Sequence, residues 1–206
     1  MKNVFDWSIV AALAGLLFGF DTVVISGADK KLQTLWESTD TFHGFVVMGM
    51  ALWGTVVGAL FGAFPTQRLG RKTTLFWIGV LYTFSAGGSA LANDPFIFAL
   101  FRFIGGLGVG ISTIAAPAYI SEIAPPKDRG RLVGLYQFNL VFGILLAFLS
   151  NYALSDIGDN AWRWMMGVEA FPAIIFTILC LTIPQSPRWL ITQEKLEKAK
   201  SIYTLI

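Results

Sequence analysis

Apolar residues run through this chain in six long blocks, not in alternation with polar ones. The blocks are Trp7 to Ser26, Phe42 to Phe64, Thr73 to Ala92, Phe96 to Ile120, Leu132 to Ala153 and Trp164 to Ile183. Each has roughly the 20 residues that a helix needs to cross a hydrocarbon core of about 30 Å. None shows the period-2 pattern of a membrane barrel. A bilayer offers no water to unpaired backbone groups, so the pattern predicts six transmembrane helices. The first block is too long for a cleavable signal. It is preceded by only Lys2 and carries Asp21 where a small-residue cleavage site is expected.

The breaks between blocks are unequal. Asn93-Asp94-Pro95 is a bare turn signal between the third and fourth blocks, whereas Gly27 to Thr41 reads as a longer polar loop between the first and second. Three helices plus three helices is the pattern of an inverted repeat, with one faint sequence echo, Gly15 to Gly19 against Gly105 to Gly110. Glycine pairs four residues apart, Gly15 with Gly19, Gly54 with Gly58, Gly58 with Gly62 and Gly106 with Gly110, allow close helix contact. The Gly105 to Gly110 run is not a dinucleotide loop, because no strand precedes it. Past Ile183, the run Pro184-Gln185-Ser186-Pro187-Arg188-Trp189-Leu190 breaks the last block. Leu190 to Ile206 then places Leu196, Ala199, Ile202, Tyr203 and Ile206 at helical three-and-four spacing. The expected organisation is a six-helix domain over 1–183 and a cytoplasmic amphipathic tail over 184–206, the start of an intracellular helical region.

Composition agrees with a bilayer solvent: 55% of residues are hydrophobic, 14% are charged, and the mean hydropathy is +0.64. The basic residues then orient the chain. Lys2, Arg68, Arg71, Lys72, Lys127, Arg129, Arg131, Arg188, Lys195, Lys198 and Lys200 fall on one side, against Lys30, Lys31 and Arg163 on the other. The excess of positive charge belongs inside, which puts both termini in the cytoplasm of an integral multi-pass protein of the plasma (inner) membrane. The net charge of +2 is a product of that topology and gives no hint of nucleic acid. Cys180 is the single cysteine, so no internal disulfide or thiol metal cluster is expected, and no cofactor.

Against this apolar background a few polar groups stand out. Asp21 and Arg102 lie at membrane depth, where an ionised group costs on the order of 2.5 to 3.5 kcal/mol even on lenient insertion scales. Such charges persist with a partner or a polar cavity, and a paired acid and base points to a proton or solute path. Gln137, Leu140 and Ile144 fall at i, i+3 and i+7 and so share one helix face, where a buried amide is a sugar-hydroxyl ligand or an interhelical hydrogen bond. His43, at the outer end of the second block, reads as interfacial. No His/Glu metal spacing and no nucleophile with a nearby base is present, so an enzyme is not expected.

Five segments resemble the sugar porter family of the major facilitator superfamily, in order and spacing. They are Gly19 to Ala28, Arg68-Leu69-Gly70-Arg71-Lys72, Arg102 to Gly110, Tyr119 to Pro125 followed by Arg129-Gly130, and Pro184 to Leu190. The chain is similar to the N-terminal six-helix half of such a carrier, and within the family to bacterial xylose/proton symporters. The resemblance implies an all-α membrane fold, a 3+3 repeat forming half of a twelve-helix monosaccharide carrier that works by alternating access and symports protons. Two positions depart from the family pattern: Gln185 replaces a usual Glu, and Gln67 stands where an acid often opens the loop between the second and third helices.

The resemblance also assigns roles. Arg102 faces Asp21, the proton-site candidate, because burial disfavours a charged carboxylate and a nearby guanidinium favours it. Glu169 matches a family acid near this pair, with a place at the outer interface as the alternative. Gln137 matches a sugar-binding glutamine, Leu140 and Ile144 its apolar neighbours, and Phe18 an aromatic that packs on a sugar ring or in the core. Arg71, Lys72, Glu122, Arg129 and Arg188 match the cytoplasmic salt bridges that hold the outward-open state. The implied partners are a small sugar, protons, the lipid bilayer and a second six-helix half, supplied by a second copy of this chain or by a separate one. A truncated half or membrane subunit that moves nothing by itself is the other reading.

Overall fold

The computed structural model describes residues 2–205 and is helical throughout its membrane part. Among the described residues, six helices are long and apolar enough to cross a bilayer: span 1 (Asn3–Gly27), span 2 (Asp40–Phe61), span 3 (Arg71–Leu91), span 4 (Pro95–Ile123), span 5 (Arg129–Leu154) and span 6 (Ala161–Thr182). The turn between spans 3 and 4 closes as its chemistry dictates. Asp94 caps span 4 by accepting from the Phe96 and Ile97 backbone N–H groups, and Pro95 occupies the first helical position, where no donor is needed.

Packing brings out the internal repeat. Span 1 lies against span 5, span 4 against span 2, and spans 1 and 4 also meet each other. Counting three helices forward maps the first crossing onto the second, which is the 3+3 arrangement. Both crossings use the same device. A Cβ on Gly15, Gly19 or Gly143 would run into the backbone carbonyl of Tyr136, Leu140 or Leu16 at the span 1–span 5 crossing. A Cβ on Gly54, Gly58, Gly106 or Gly110 would do the same to Phe103, Leu107, Ala51 or Thr55 between spans 2 and 4. Helices in lipid gain by close backbone approach, since tails are as apolar as leucine, and only glycine permits it here. Spans 1 and 4 are accordingly the inner pair, with 61% and 50% of the residues in their most apolar stretches buried, whereas in spans 2 and 5 the share is 22% and most residues face outward.

Four segments differ from the sequence expectation. The stretch Gly27 to Thr41 is not an open loop: it carries the helix Asp29–Leu35, whose Leu32 is fully buried. Beyond it Trp36 packs on Phe98 and Trp162, with ring centroids 5.4 and 6.1 Å away. Those apolar contacts come from spans 4 and 6 and are invisible to local polarity. The tail is not one amphipathic helix over Leu190 to Ile206 but two short helices, Pro187–Thr192 and Leu196–Tyr203, separated by a turn with Glu194 at φ 59°. Trp189, Leu190 and Ala199 fold against each other across that turn, so the apolar positions face a small cluster of their own, while Leu196 and Tyr203 remain exposed. Ile206 lies outside the described residues. Finally, spans 2 and 6 are irregular. Span 2 is π-helical over His43–Met48, and span 6 is interrupted between Gly167 and Ala170, because Pro172 lacks the N–H that would bond to the carbonyl of Val168.

Candidate functional site

The centre of the bundle is an ion pair. Asp21 on span 1 and Arg102 on span 4 are each 1% exposed, and the guanidinium grips the acid twice: Nη1 donates to Asp21 Oδ1 and Nη2 donates to the Asp21 backbone carbonyl at 2.9 Å. Span 4 can carry so long a side chain at this depth because Gly105 and Gly106 follow it. A Cβ on Gly105 would meet the Ser85 hydroxyl and approach Asp21 Oδ1 to 3.5 Å. Glu169 occupies the interruption of span 6 and is also 1% exposed, near both Asp21 and Arg102. The break made by Pro172 thus delivers an acid to the pair instead of to the outer interface. Two carboxyls therefore lie near one arginine, with Asp21 alone in ion-pair contact with it, and Arg102 Nε and Glu169 Oε1 are buried without hydrogen-bond partners. A cavity of about 310 Å³ reaches the pair between spans 1, 2 and 4, lined by Asp21, Thr22, Met48, Thr55, Arg102 and Val109 beside the π-helical turn.

Around the span 1–span 5 crossing lie the candidate sugar-facing residues. Gln137 is exposed, and Leu140 and Ile144 are half-buried because their backbones press against Gly19. Phe18 is half-buried and packs on the core of spans 1, 3 and 4. These four side chains do not meet the ion pair in a closed pocket. An exposed amide at membrane depth must find hydrogen-bonding groups in whatever covers span 5.

At the end of the bundle where span 3 begins, Arg71 and Lys72 sit in its first turn, where the helix dipole disfavours cations. Each is compensated differently. Arg71 donates from Nε and Nη2 to Glu122 Oε1 at 3.1 and 2.8 Å, and from Nη1 to the Thr66 carbonyl at 3.2 Å. Ser186 donates to the other Glu122 oxygen. Lys72 takes another course and donates from Nζ to the Leu181 carbonyl at 2.8 Å, in the last turn of span 6, where the dipole favours a cation. Arg129 and Arg188 line a cavity of about 310 Å³ with Glu122 and Tyr203. Arg188 is exposed there, and Arg129 Nε is buried and unpartnered. Gln185 is anchored: its amide donates to Thr73 Oγ1 at 3.0 Å and its carbonyl accepts from the Lys72 backbone N–H at 3.2 Å. It closes over Gly70, whose φ of 86° and crowding by that amide admit no side chain.

Two features escaped sequence reasoning. His43 is buried, with Nε2 at 2.7 Å from Asp29 Oδ1 and Nδ1 at 3.3 Å from Ser38 Oγ, tying the Asp29–Leu35 helix to span 2. The 14-residue separation of Asp29 and His43 gives no periodic signal. The buried hydroxyl residues Tyr82, Ser112 and Tyr136 come from spans 3, 4 and 5, and the Ser112 and Tyr136 oxygens lie 3.2 Å apart. Hydroxyl residues in apolar helices read as neutral fillers until their neighbours are known.

The chain is 36% identical to the D-xylose-proton symporter of Escherichia coli K12 and 42% identical to a glucose transport protein of Synechocystis. It is also 38% identical to an arabinose-proton symporter of Bacillus subtilis. Those alignments take in 97%, 98% and 97% of this chain but 47%, 45% and 44% of the relatives, so the chain spans about half their length. Among solved structures, the proton:xylose symporter XylE bound to 6-bromo-6-deoxy-D-glucose superposes with a TM-score of 0.93 at 34% identity. It covers 98% of this chain and 49% of that one. An inward-open form of XylE from E. coli gives 0.86 at 35%, with 97% and 51% covered. The architecture is therefore that of the N-terminal six-helix half of a major facilitator fold. With the profile of the family described as sugar (and other) transporter matching residues 7–205, the chain belongs to that family.

Proposed function

We propose that this chain supplies the N-terminal half of a carrier that moves a monosaccharide together with a proton by alternating access, in the plasma (inner) membrane with both termini cytoplasmic. The observation that carries the reading is the Asp21–Arg102 pair with Glu169 beside it, three ionisable groups at membrane depth with one positive charge among them. Charges in such a place are retained for function. One cation cannot satisfy two ionised acids in a dry site, so a proton taken up by one carboxyl releases part of the guanidinium grip. Relative movement of spans 1, 4 and 6 then follows proton binding.

Sugar binds, on this reading, to the outward face of span 5 at Gln137, with Leu140, Ile144 and Phe18 forming the apolar side of the site. The curated relatives include symporters of xylose and of arabinose with protons, which supports a pentose or hexose as substrate. Arg71, Glu122 and Ser186 latch the cytoplasmic ends of spans 3 and 4 to the segment after span 6, and Arg129 and Arg188 extend the latch. The exposed faces of spans 2 and 5 are closed by a second six-helix unit, either another stretch of polypeptide or a second copy of the chain.

In the assembled carrier, Asp21→Asn is expected to abolish proton-driven accumulation of D-xylose in vesicles while leaving D-xylose exchange. Accumulation equal to wild type overturns the proton role. Gln137→Ala is expected to weaken sugar binding roughly ten- to a hundredfold by removing one hydrogen-bonding partner of the enclosed sugar, and calorimetry giving equal affinities would remove Gln137 from the site.

A further inference from the structure

A groove of about 590 Å³ opens between spans 3, 4 and 6, apart from the faces of spans 2 and 5 that a second six-helix unit would cover. Gly87 lines it, and a Cβ there would meet nothing within 4 Å. Phe84, Leu91, Ile174 and Ile178 line it as well, and all four are exposed. The groove also holds two hydroxyls, and both are spent on their own helices. Thr83 donates to the Gly79 carbonyl at 2.9 Å and Thr177 to the Ala173 carbonyl at 2.7 Å. From Val80 to Leu91 the groove follows about 16 Å of helix, half of a hydrocarbon core of about 30 Å. That is the depth of one leaflet.

Leu91 also lines a second cavity, of about 510 Å³, with Asn160, Arg163, Trp164 and Gly167 at the start of span 6. On this side of the bundle, proposed above as external, basic residues are disfavoured, and Arg163 is one of three. Of the others, Lys31 is paired with Asp159 at 3.0 Å. Arg163 has no acid within ion-pair distance among the described residues. Its Nη1 donates to the Ala90 carbonyl and its Nη2 to Asn93 Oδ1, both at 2.8 Å, and its guanidinium lies 4.3 Å from the centre of the Trp162 ring. These neutral partners hold the group in place without cancelling its charge. Two of the five guanidinium N–H groups are used, so three remain for an anion. Trp164 is exposed beside it, as aromatic side chains are at a membrane interface. From Arg163 to Ile178, span 6 covers about 22 Å, half of a bilayer of about 40 to 45 Å with its headgroups.

We propose that the groove and the Arg163 cavity are one binding site for a phospholipid of that leaflet, with an acyl chain along Gly87 and the phosphate on Arg163. Chain and charge identify the occupant together. A free phosphate has no use for an apolar groove, and a bare hydrocarbon has none for a held cation. A guanidinium binds phosphate through parallel, charge-assisted N–H bonds. The second cavity is also lined by Gly167 and Val168, the two residues before Glu169, so the lipid packs on the interruption that delivers this acid to the ion pair. Such a site needs only the folded bundle in a bilayer and no transport.

The test is native mass spectrometry of the chain, stripped of lipid in mild detergent and titrated with phosphatidylglycerol, dioleoylglycerol or glycerol 3-phosphate. Wild type should hold one phosphatidylglycerol more tightly than any further copy, dioleoylglycerol more weakly, and glycerol 3-phosphate not at all. Arg163→Gln should weaken phosphatidylglycerol about tenfold or more, as loss of a charge-assisted contact requires, and leave dioleoylglycerol unchanged. Arg163→Lys keeps the charge and should retain most of the affinity. Gly87→Leu fills the groove from a position with open space, so it should fold and yet weaken both lipids. General damage to the fold would not separate headgroup from chain in this way. A phosphatidylglycerol with a diazirine midway along one chain should label the Thr83–Gly87 and Ile174–Ile178 stretches. Equal affinity for the first and later copies, altered by neither variant, means bulk lipid solvation only and overturns the site. Glycerol 3-phosphate binding as tightly as phosphatidylglycerol, or label spread evenly over the six spans, overturns it as well.

Discussion

Asp21→Asn leaves a shape almost unchanged and strands a charge. Asp21 and Arg102 are 1% exposed, so neither water nor salt screens them, and the arginine also loses the ionised partner of its Nη1 group. Removing one member of a buried ion pair costs about 3 to 5 kcal/mol when the other is left uncompensated, and Glu169 nearby places this variant toward the lower end. For a domain of this size, each kcal/mol displaces the melting midpoint by about 2 to 4 °C, so the variant should melt roughly 6 to 20 °C below wild type. The converse variant, Arg102→Met, should lose less, because a stranded carboxyl neutralises by taking a proton whereas a guanidinium does not. The double variant should recover most of the loss, since two neutral groups of similar volume are often as stable as the pair they replace. The assay is thermal unfolding in mild detergent, read by the thiol of Cys180, which is fully buried until the bundle opens. Equal melting of Asp21→Asn and wild type, or strictly additive losses in the double variant, would refute the claim that the pair is coupled in the folded bundle.

Other outcomes follow from the packing. Gly106→Leu should prevent the span 2–span 4 crossing, because its side chain meets the Ala51 carbonyl, whereas Gly87→Leu on span 3, with open space around it, should fold normally; yield of monodisperse protein distinguishes them. Gly70→Ala should cost about 1 to 3 kcal/mol through its positive φ, with the Gln185 amide displaced as well, measured as a lower melting midpoint. Glu122→Gln should remove the charge that Arg71 and Ser186 share, at about 1.5 to 3 kcal/mol for hydrogen bonds to a charged group. Its mark is faster proteolysis of the Pro187–Thr192 segment, and cleavage no faster than wild type counts against the latch.

Six spans and their order were legible in the sequence because the bilayer imposes one rule on every residue in it. A helix must be long and apolar, so hydropathy alone located each span to within a few positions. The same rule made Asp21 and Arg102 conspicuous, since a charge in an apolar block has no bland explanation. Glycine spacing also marked Gly15, Gly19, Gly106 and Gly110 as contact positions. What the spacing could not assign was the partner, because a glycine records that a backbone comes near and not which one. Only the packed bundle pairs span 1 with span 5 and span 4 with span 2. Glu169 was readable from local chemistry only as an acid at membrane depth; the family resemblance put it near the pair, with the outer interface as the alternative, and it owes its place by the pair to the interruption of span 6 ahead of Pro172. The helix in Gly27 to Thr41 and the folded tail were missed because their apolar contacts come from residues distant in sequence. Tyr82, Ser112 and Tyr136 stayed silent for the same reason: a hydroxyl takes its meaning from its neighbours, and these three are brought into one core from spans 3, 4 and 5. Local chemistry fixes what each segment is in a membrane, and tertiary packing alone decides which buried polar groups share a site.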